Sequence, residues 1–156
     1  MSAPISIYFA APLFTQAEWL WNANIAKLLR DEGYIVSLPQ ESIDFAADAT
    51  DGFDPQAIFE RNKQELLTAT IVVAVYDQSD SDSGTSWECG YAHANGIPII
   101  GVRTDLRKSG DDPVGVNLML ARSSTAFIQL PLMKRSDATW VSSEIIAKIR
   151  EVLSSK

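Results

Sequence analysis

Two carboxylates stand close together in the run Asp82-Ser83-Gly84-Thr85-Ser86-Trp87-Glu88-Cys89-Gly90-Tyr91-Ala92. A pair of carboxyl groups, one ionised and one able to carry a proton, is the equipment that breaks glycosidic bonds. The setting of this pair suits that use. The continuous apolar segment Ile71-Val72-Val73-Ala74-Val75-Tyr76 precedes it and reads as a buried strand, and the residues that follow read as a helix. Asp82 and Glu88 therefore fall where the C-terminal end of a strand meets a helix, the edge of an open α/β sheet at which ligands bind. Helix N–H groups nearby would hold a carboxylate in its ionised form. The same residues also read as helix punctuation. Thr85-x-x-Glu88 spells a capping box, and Asp82 alone could cap one turn earlier. Four polar residues and a glycine nevertheless crowd this turn, more than a cap needs.

The elements that must position these groups follow from periodicity and punctuation. Ile5 to Phe9 reads as a first strand. Thr15-x-x-Glu18 opens a helix with apolar residues at Phe14, Ala17, Trp21, Ile25, Leu28 and Leu29, which Gly33 closes. Tyr34 to Leu38 is a second strand, followed by an acidic loop from Gln40 to Phe53. Asp54-Pro55 gives an N-cap and a first-turn proline to a helix reaching Ala69. Ile71 to Tyr76 is the third strand, Ser83 to Asn95 the third helix, and Ile97 to Val102 the fourth strand. A polar loop covers Arg103 to Pro113, a short helix Gly115 to Ala121, a fifth strand Thr125 to Leu130 and a closing helix Asp137 to Leu153. This alternation predicts one domain over residues 1–156, a doubly wound parallel sheet covered on both faces, in the flavodoxin-like or Rossmann-like order 2-1-3-4-5. Tyr8, Gln40, Asp77 and Asp82 all then lie near C-terminal strand ends and converge on one crevice.

Composition excludes several classes. The chain has 156 residues and a formal net charge of −7, and its densest basic group, Arg103, Arg107 and Lys108, reads as a solvated loop. A nucleic-acid polymer is disfavoured as a partner, because polyanions need concentrated positive charge. No apolar run is long enough to span a bilayer, and the N-terminus lacks the pattern of a secretory signal. With Cys89 as its one cysteine, the chain is expected in a reducing, cytoplasmic setting. The first turn, Ala10-Ala11-Pro12-Leu13, lacks the glycines that cradle a dinucleotide, there is no Walker motif, and metal-ligand clusters are missing, so no cofactor or metal is expected. His93, the single histidine, reads as a partly exposed helix residue.

Three segments carry a resemblance to a known family: Ile7-Tyr8-Phe9-Ala10-Ala11-Pro12-Leu13-Phe14, the run from Asp82 through Gly84 and Glu88 to Ala92, and Asn117-Leu118-Met119. In order and type they resemble the nucleoside 2-deoxyribosyltransferase family. The resemblance implies a retaining, two-step transfer of 2-deoxyribose between nucleobases, with a deoxynucleoside and a free base as small-molecule partners. It makes Glu88 the nucleophile, Asp82 the group that protonates the leaving base, and Tyr8 the hydroxyl that orients the nucleophile. Phe14 and Gln40 fall at base-contacting positions. Asn117 and Met119 match a segment that reaches the sugar hydroxyls from a neighbouring subunit, which implies a homo-oligomer. The family often has an aspartate in the helix before the third strand, where spacing here places Asn62; proton delivery then falls on Asp82, with Asp77 as helper.

Each of these residues also has an ordinary structural reading. Tyr8 packs equally well at a sheet edge, Phe14 as a staple on the first helix, and Met119 in a core. Gln40, Asn62, Asp77 and Asn117 suit turns and helix ends. The loop from Gln40 to Phe53, with Phe45 and Phe53, has the length of a mobile cover. Two further functions compete with transfer. One is hydrolysis of a deoxynucleoside or its 5′-monophosphate, which the apolar first turn, lacking Ser and Arg to hold phosphate, disfavours. The other is a non-catalytic nucleotide sensor, which needs no Glu88 within reach of a sugar carbon.

Overall fold

The computed structural model describes residues 4–42, 54–107, 115–129 and 137–155. Five parallel strands form a single sheet in the order β2-β1-β3-β4-β5. They are β1 (Ser6–Ala10), β2 (Ile35–Ser37), β3 (Ile71–Val75), β4 (Ile99–Arg103) and β5 (Ala126–Gln129). The helices are α1 (Gln16–Asp31), α2 (Pro55–Thr68), α3 (Ser83–Ala94), α4 (Leu118–Ser123) and α5 (Ala138–Ser154), with a 3-10 turn at Pro39–Ser42. The predicted order 2-1-3-4-5 is the observed one.

Strand alternation sorts the core into two halves. Ile7, Phe9, Val73, Val75, Ile100 and Val102 face α1 and α5, where Ile25, Leu29, Val141, Ile145 and Ile149 meet them. Tyr8, Ala10, Val72, Ala74 and Ile99 face the opposite side, with Leu66 of α2, Cys89 and Ala92 of α3 and Leu120 of α4. Each fully buried aliphatic side chain contributes about 1.5–3 kcal/mol, and β3 is buried at every position. The site lies on the second side.

Helix boundaries follow local chemistry. The Thr15–Glu18 capping box is formed at α1, and Asp54 caps α2 by accepting from the N–H groups of Gln56 and Ala57. Gly33 and Gly96, at φ +91° and +69°, turn the chain out of α1 and α3. Three readings need correction. The short helix begins at Leu118 rather than Gly115, because Gly115 has φ +75° and Asn117 is the true cap. The fourth strand starts at Ile99, two residues after the predicted start. Arg103 is no solvated loop residue: it ends β4, is 1% exposed, and its guanidinium donates to the carbonyls of Tyr76, Gln78 and Arg107. That burial is sustained because main-chain oxygens replace its water.

The 3-10 turn occupies the start of the acidic loop. The cover expected of that loop, with Phe45 and Phe53, lies outside the described residues, as do Lys108 and Leu130.

Candidate active site

Tyr8 is 0% exposed and points from the middle of β1 to the α3 side of the sheet. Its hydroxyl donates to Glu88 Oε1 at 2.5 Å. Glu88 lies beyond the first turn of α3, where the backbone N–H groups are already bonded within the helix. The helix terminus therefore does not hold it ionised, contrary to the expectation from sequence. Burial pushes the Glu88 carboxyl up to about 7, the Tyr8 hydrogen bond pulls it down, and the Asp82 charge raises it further. Burial, and then the facing carboxylate, push Tyr8 far above the usual phenol range, so it stays a neutral donor.

Asp82 caps α3: its Oδ2 accepts from the Thr85 N–H at 2.8 Å. The alternative capping box Thr85-x-x-Glu88 does not form. Glu88 turns to Tyr8 instead, and Thr85 Oγ1 is buried with no hydrogen-bond partner. Burying such a hydroxyl costs about 1–3 kcal/mol. Gly84 gives Asp82 its room, because a Cβ there would lie 3.1 Å from Asp82 Oδ2.

Two cavities meet at Glu88. The smaller, ≈ 90 Å³, is lined by the first turn (Ala11, Leu13, Phe14) and Pro39 together with Asn62, Asp82, Gly84, Thr85 and Glu88. The larger, ≈ 250 Å³, runs between α2 and α3 and is lined by Phe59, Asn62, Lys63, Leu66, Gly84, Trp87 and Glu88. Asn62, Gly84 and Glu88 are common to both. Asn62 Oδ1 is buried without a hydrogen-bond partner.

The structure thus brings together Tyr8, Phe14, Asn62, Asp82, Gly84 and Glu88, with the Phe14 ring largely exposed at the rim. It places four other expected site residues elsewhere. Gln40 is buried and engaged at both ends of its carboxamide: Oε1 accepts from Asn22 Nδ2 and Nε2 donates to the Trp19 carbonyl, each at 3.0 Å. It braces the first turn, since Asn22 also donates to the Pro12 carbonyl. Asp77 accepts from the N–H groups of Thr104 and Asp105 and from the Thr104 hydroxyl, so it ties the loop after β3 to the loop after β4 and lines neither described cavity. Asn117 caps α4, and Met119 is 76% exposed; neither lines a described cavity of its own chain.

The residues missed from sequence are Phe59, Lys63 and Trp87. Phe59 meets Trp87 edge to face at 5.4 Å, Trp87 stacks on Tyr91 at 5.0 Å, and Lys63 Nζ lies 5.1 Å from the Phe59 ring centre. Their signal was the helical spacing of Phe59, Asn62, Lys63 and Leu66 on one helix, facing Gly84, Trp87 and Glu88 on the next. Among the described residues, no group of three or more His, Cys, Asp or Glu could hold a metal ion, and no helix is long and apolar enough to cross a membrane.

The chain has known relatives. The profile of the family described as nucleoside 2-deoxyribosyltransferase matches residues 7–119, and the chain belongs to that family. A protein of Thermofilum pendens, provisionally named 2′-deoxynucleoside 5′-phosphate N-hydrolase 1, is 32% identical over 99 residues, 62% of this chain and 66% of its own length. A conserved protein of Enterococcus faecalis V583 superposes with a TM-score of 0.74 at 26% identity, over 94% of this chain and 99% of the other. The 2-deoxyribosyltransferase of Bacillus psychrosaccharolyticus shares the fold, with a TM-score of 0.67 at 24% identity over 92% and 95% of the two chains.

Proposed function

We propose that the protein transfers 2-deoxyribose between nucleobases by double displacement through a covalent intermediate on Glu88. The observation that carries this reading is the Tyr8–Glu88 hydrogen bond beside a cavity that Asp82 also lines. In the first step a Glu88 carboxylate oxygen attacks C1′ of the deoxynucleoside. The C1′–N bond breaks, its electron pair goes to the base, and Asp82 supplies the proton that neutralises the departing base. In the second step the nitrogen of an incoming base attacks C1′, the Glu88 ester bond breaks and regenerates the carboxylate, and a proton from the base passes to Asp82. Tyr8 holds Oε1 throughout as a neutral donor. The ionised carboxylate stabilises the oxocarbenium character of each transition state. Asn62 has no acidic proton to give, so Asp82 carries proton delivery alone.

Asn117 and Met119 are read as completing the site of a neighbouring copy, which the exposure of Met119 supports. Sedimentation of wild type and Met119→Asp tests this: an oligomer that dissociates with loss of turnover is expected. The buried, unpaired Cys89 suits a reducing cytoplasm.

Hydrolysis is the second reading, favoured by the name of the Thermofilum pendens relative. The apolar first turn speaks against it, since its side chains suit the exclusion of water and none of them can hold a 5′-phosphate. Incubation with a deoxynucleoside, with and without excess acceptor base, separates the two. New nucleoside forming faster than free deoxyribose is expected, with poor turnover of 5′-monophosphates and ribonucleosides. Dominant sugar release, or a preferred monophosphate, replaces transfer by hydrolysis.

A further inference from the structure

Thr85 has a group that the proposed chemistry leaves unused. The residue is 1% exposed, and its Oγ1 has no hydrogen-bond partner. A helical hydroxyl ordinarily turns back on the carbonyl of the preceding turn, as Thr68 does on Gln64 and Ser86 on Asp82. Thr85 lies in the first turn of α3, where the corresponding residue, Ser81, is outside the helix. The Asp82 oxygen nearest this turn accepts from the Thr85 backbone N–H instead. Thr85 lines the ≈ 90 Å³ cavity together with Asn62, whose Oδ1 is likewise buried without a partner. Buried polar groups in folded proteins are paired as a rule. Two residues that line one cavity and each carry an orphaned polar atom mark the place of a polar ligand.

The rest of the lining selects the ligand. Ala11, Leu13, Phe14 and Pro39 form an apolar surface that suits the face of a planar ring and leaves sugar hydroxyls unpaired. The carboxamide of Asn62 offers a donor and an acceptor, and the Thr85 hydroxyl serves as either. A nucleobase edge, where a donor adjoins an acceptor, satisfies both groups. We propose that Thr85 is a base-binding residue, its hydroxyl pairing with Asn62 to hold the polar edge of the nucleobase while the first turn covers the ring. This rests on the reading of the site as a deoxynucleoside site and adds to it a specificity residue.

The test uses the isosteric pair Thr85→Val and Thr85→Ser. Valine keeps the shape and the backbone N–H that Asp82 caps, and removes the orphan hydroxyl. The expected result is a melting temperature equal to or above wild type, with a KM for the deoxynucleoside raised about tenfold, the loss of one hydrogen bond, and with kcat changed far less. Free-base affinity, read by calorimetry, should fall by the same factor, and serine should restore both. Should Thr85→Val fail to fold, Thr85→Ala is read in the same way. An active wild type matched by these variants in KM and base affinity overturns this inference alone, and the hydroxyl then binds only water. A wild type that neither turns over deoxynucleosides nor binds free bases overturns the functional reading and this inference with it.

Discussion

The Tyr8 hydroxyl and the Glu88 carboxylate, 80 residues apart in sequence, are joined at 2.5 Å. The bond opposes a burial that by itself favours the protonated acid. Glu88 consequently sits near neutrality, where a modest change in its surroundings decides whether it is charged.

Tyr8→Phe keeps the ring in the core and deletes the donor. Since the hydrogen bond lowers Glu88, its loss raises it. The acid limb of the kcat/KM pH profile, expected near 7 in the wild type, should move up by about one to two pH units. Activity at pH 7 should drop roughly five- to fiftyfold in consequence. An unmoved acid limb would show that the bond does not govern the nucleophile.

Glu88 also links stability to pH. Its carboxyl titrates at about 7 when folded, against an ordinary value of 4.5. The folded protein therefore holds the proton more tightly than the unfolded chain, and this stabilisation is full below 4.5 and lost as pH rises through 7. Glu88→Gln mimics the protonated acid and keeps it. Urea unfolding should show the variant near wild type at pH 4 and more stable by on the order of 3 kcal/mol at pH 8, while transfer is abolished. A stability difference that ignores pH would contradict the weakened acidity of Glu88 in the folded protein.

Asp82 has two tasks that one substitution separates. Asparagine caps a helix as well as aspartate, so Asp82→Asn should unfold at nearly the wild-type temperature, whereas Asp82→Ala should lose about 1 kcal/mol. Both should slow ordinary deoxynucleosides far more than a nitrophenyl deoxyriboside, whose leaving group needs no proton. Equal losses on the two substrates would reduce Asp82 to a cap.

Arg103→Met fills the space but leaves the carbonyls of Tyr76, Gln78 and Arg107 without their donor. Chemical denaturation should show a loss on the order of 3 kcal/mol. Stability within a few tenths of wild type would mean that those oxygens find other partners.

Much of this was legible in the sequence because it is local. The unbroken apolar run of β3, the Thr15–Glu18 box and the Asp54-Pro55 cap each announce an element from a few neighbouring residues. The approach of Tyr8 to Glu88 was legible in outline where strand order determines position, since β1 and β3 are neighbours and Glu88 lies on the helix that follows β3. Legibility failed where a side chain's partner comes from a remote segment. Thr85-x-x-Glu88 has the letters of a capping box, and only Tyr8 decides that Glu88 turns inward. Gln40 has the letters of a base contact and is claimed by Asn22 and Trp19. Arg103 was misread because cations are ordinarily exposed, and the carbonyls that shelter it come from two different loops.

Strand β1 sends Ile7 and Phe9 to one side of the sheet and Tyr8 and Ala10 to the other. That alternation gives the molecule a parity. A single residue gained or lost just ahead of Tyr8 would present a phenylalanine or isoleucine to Glu88 and carry the phenol to the far face, among α1 and α5. No compensating change inside the cavity could restore the donor. The register that lets β1 join the sheet is thus also what gives Glu88 its hydrogen-bond donor, and an insertion here would strip the proposed nucleophile of that donor even if the sheet still formed.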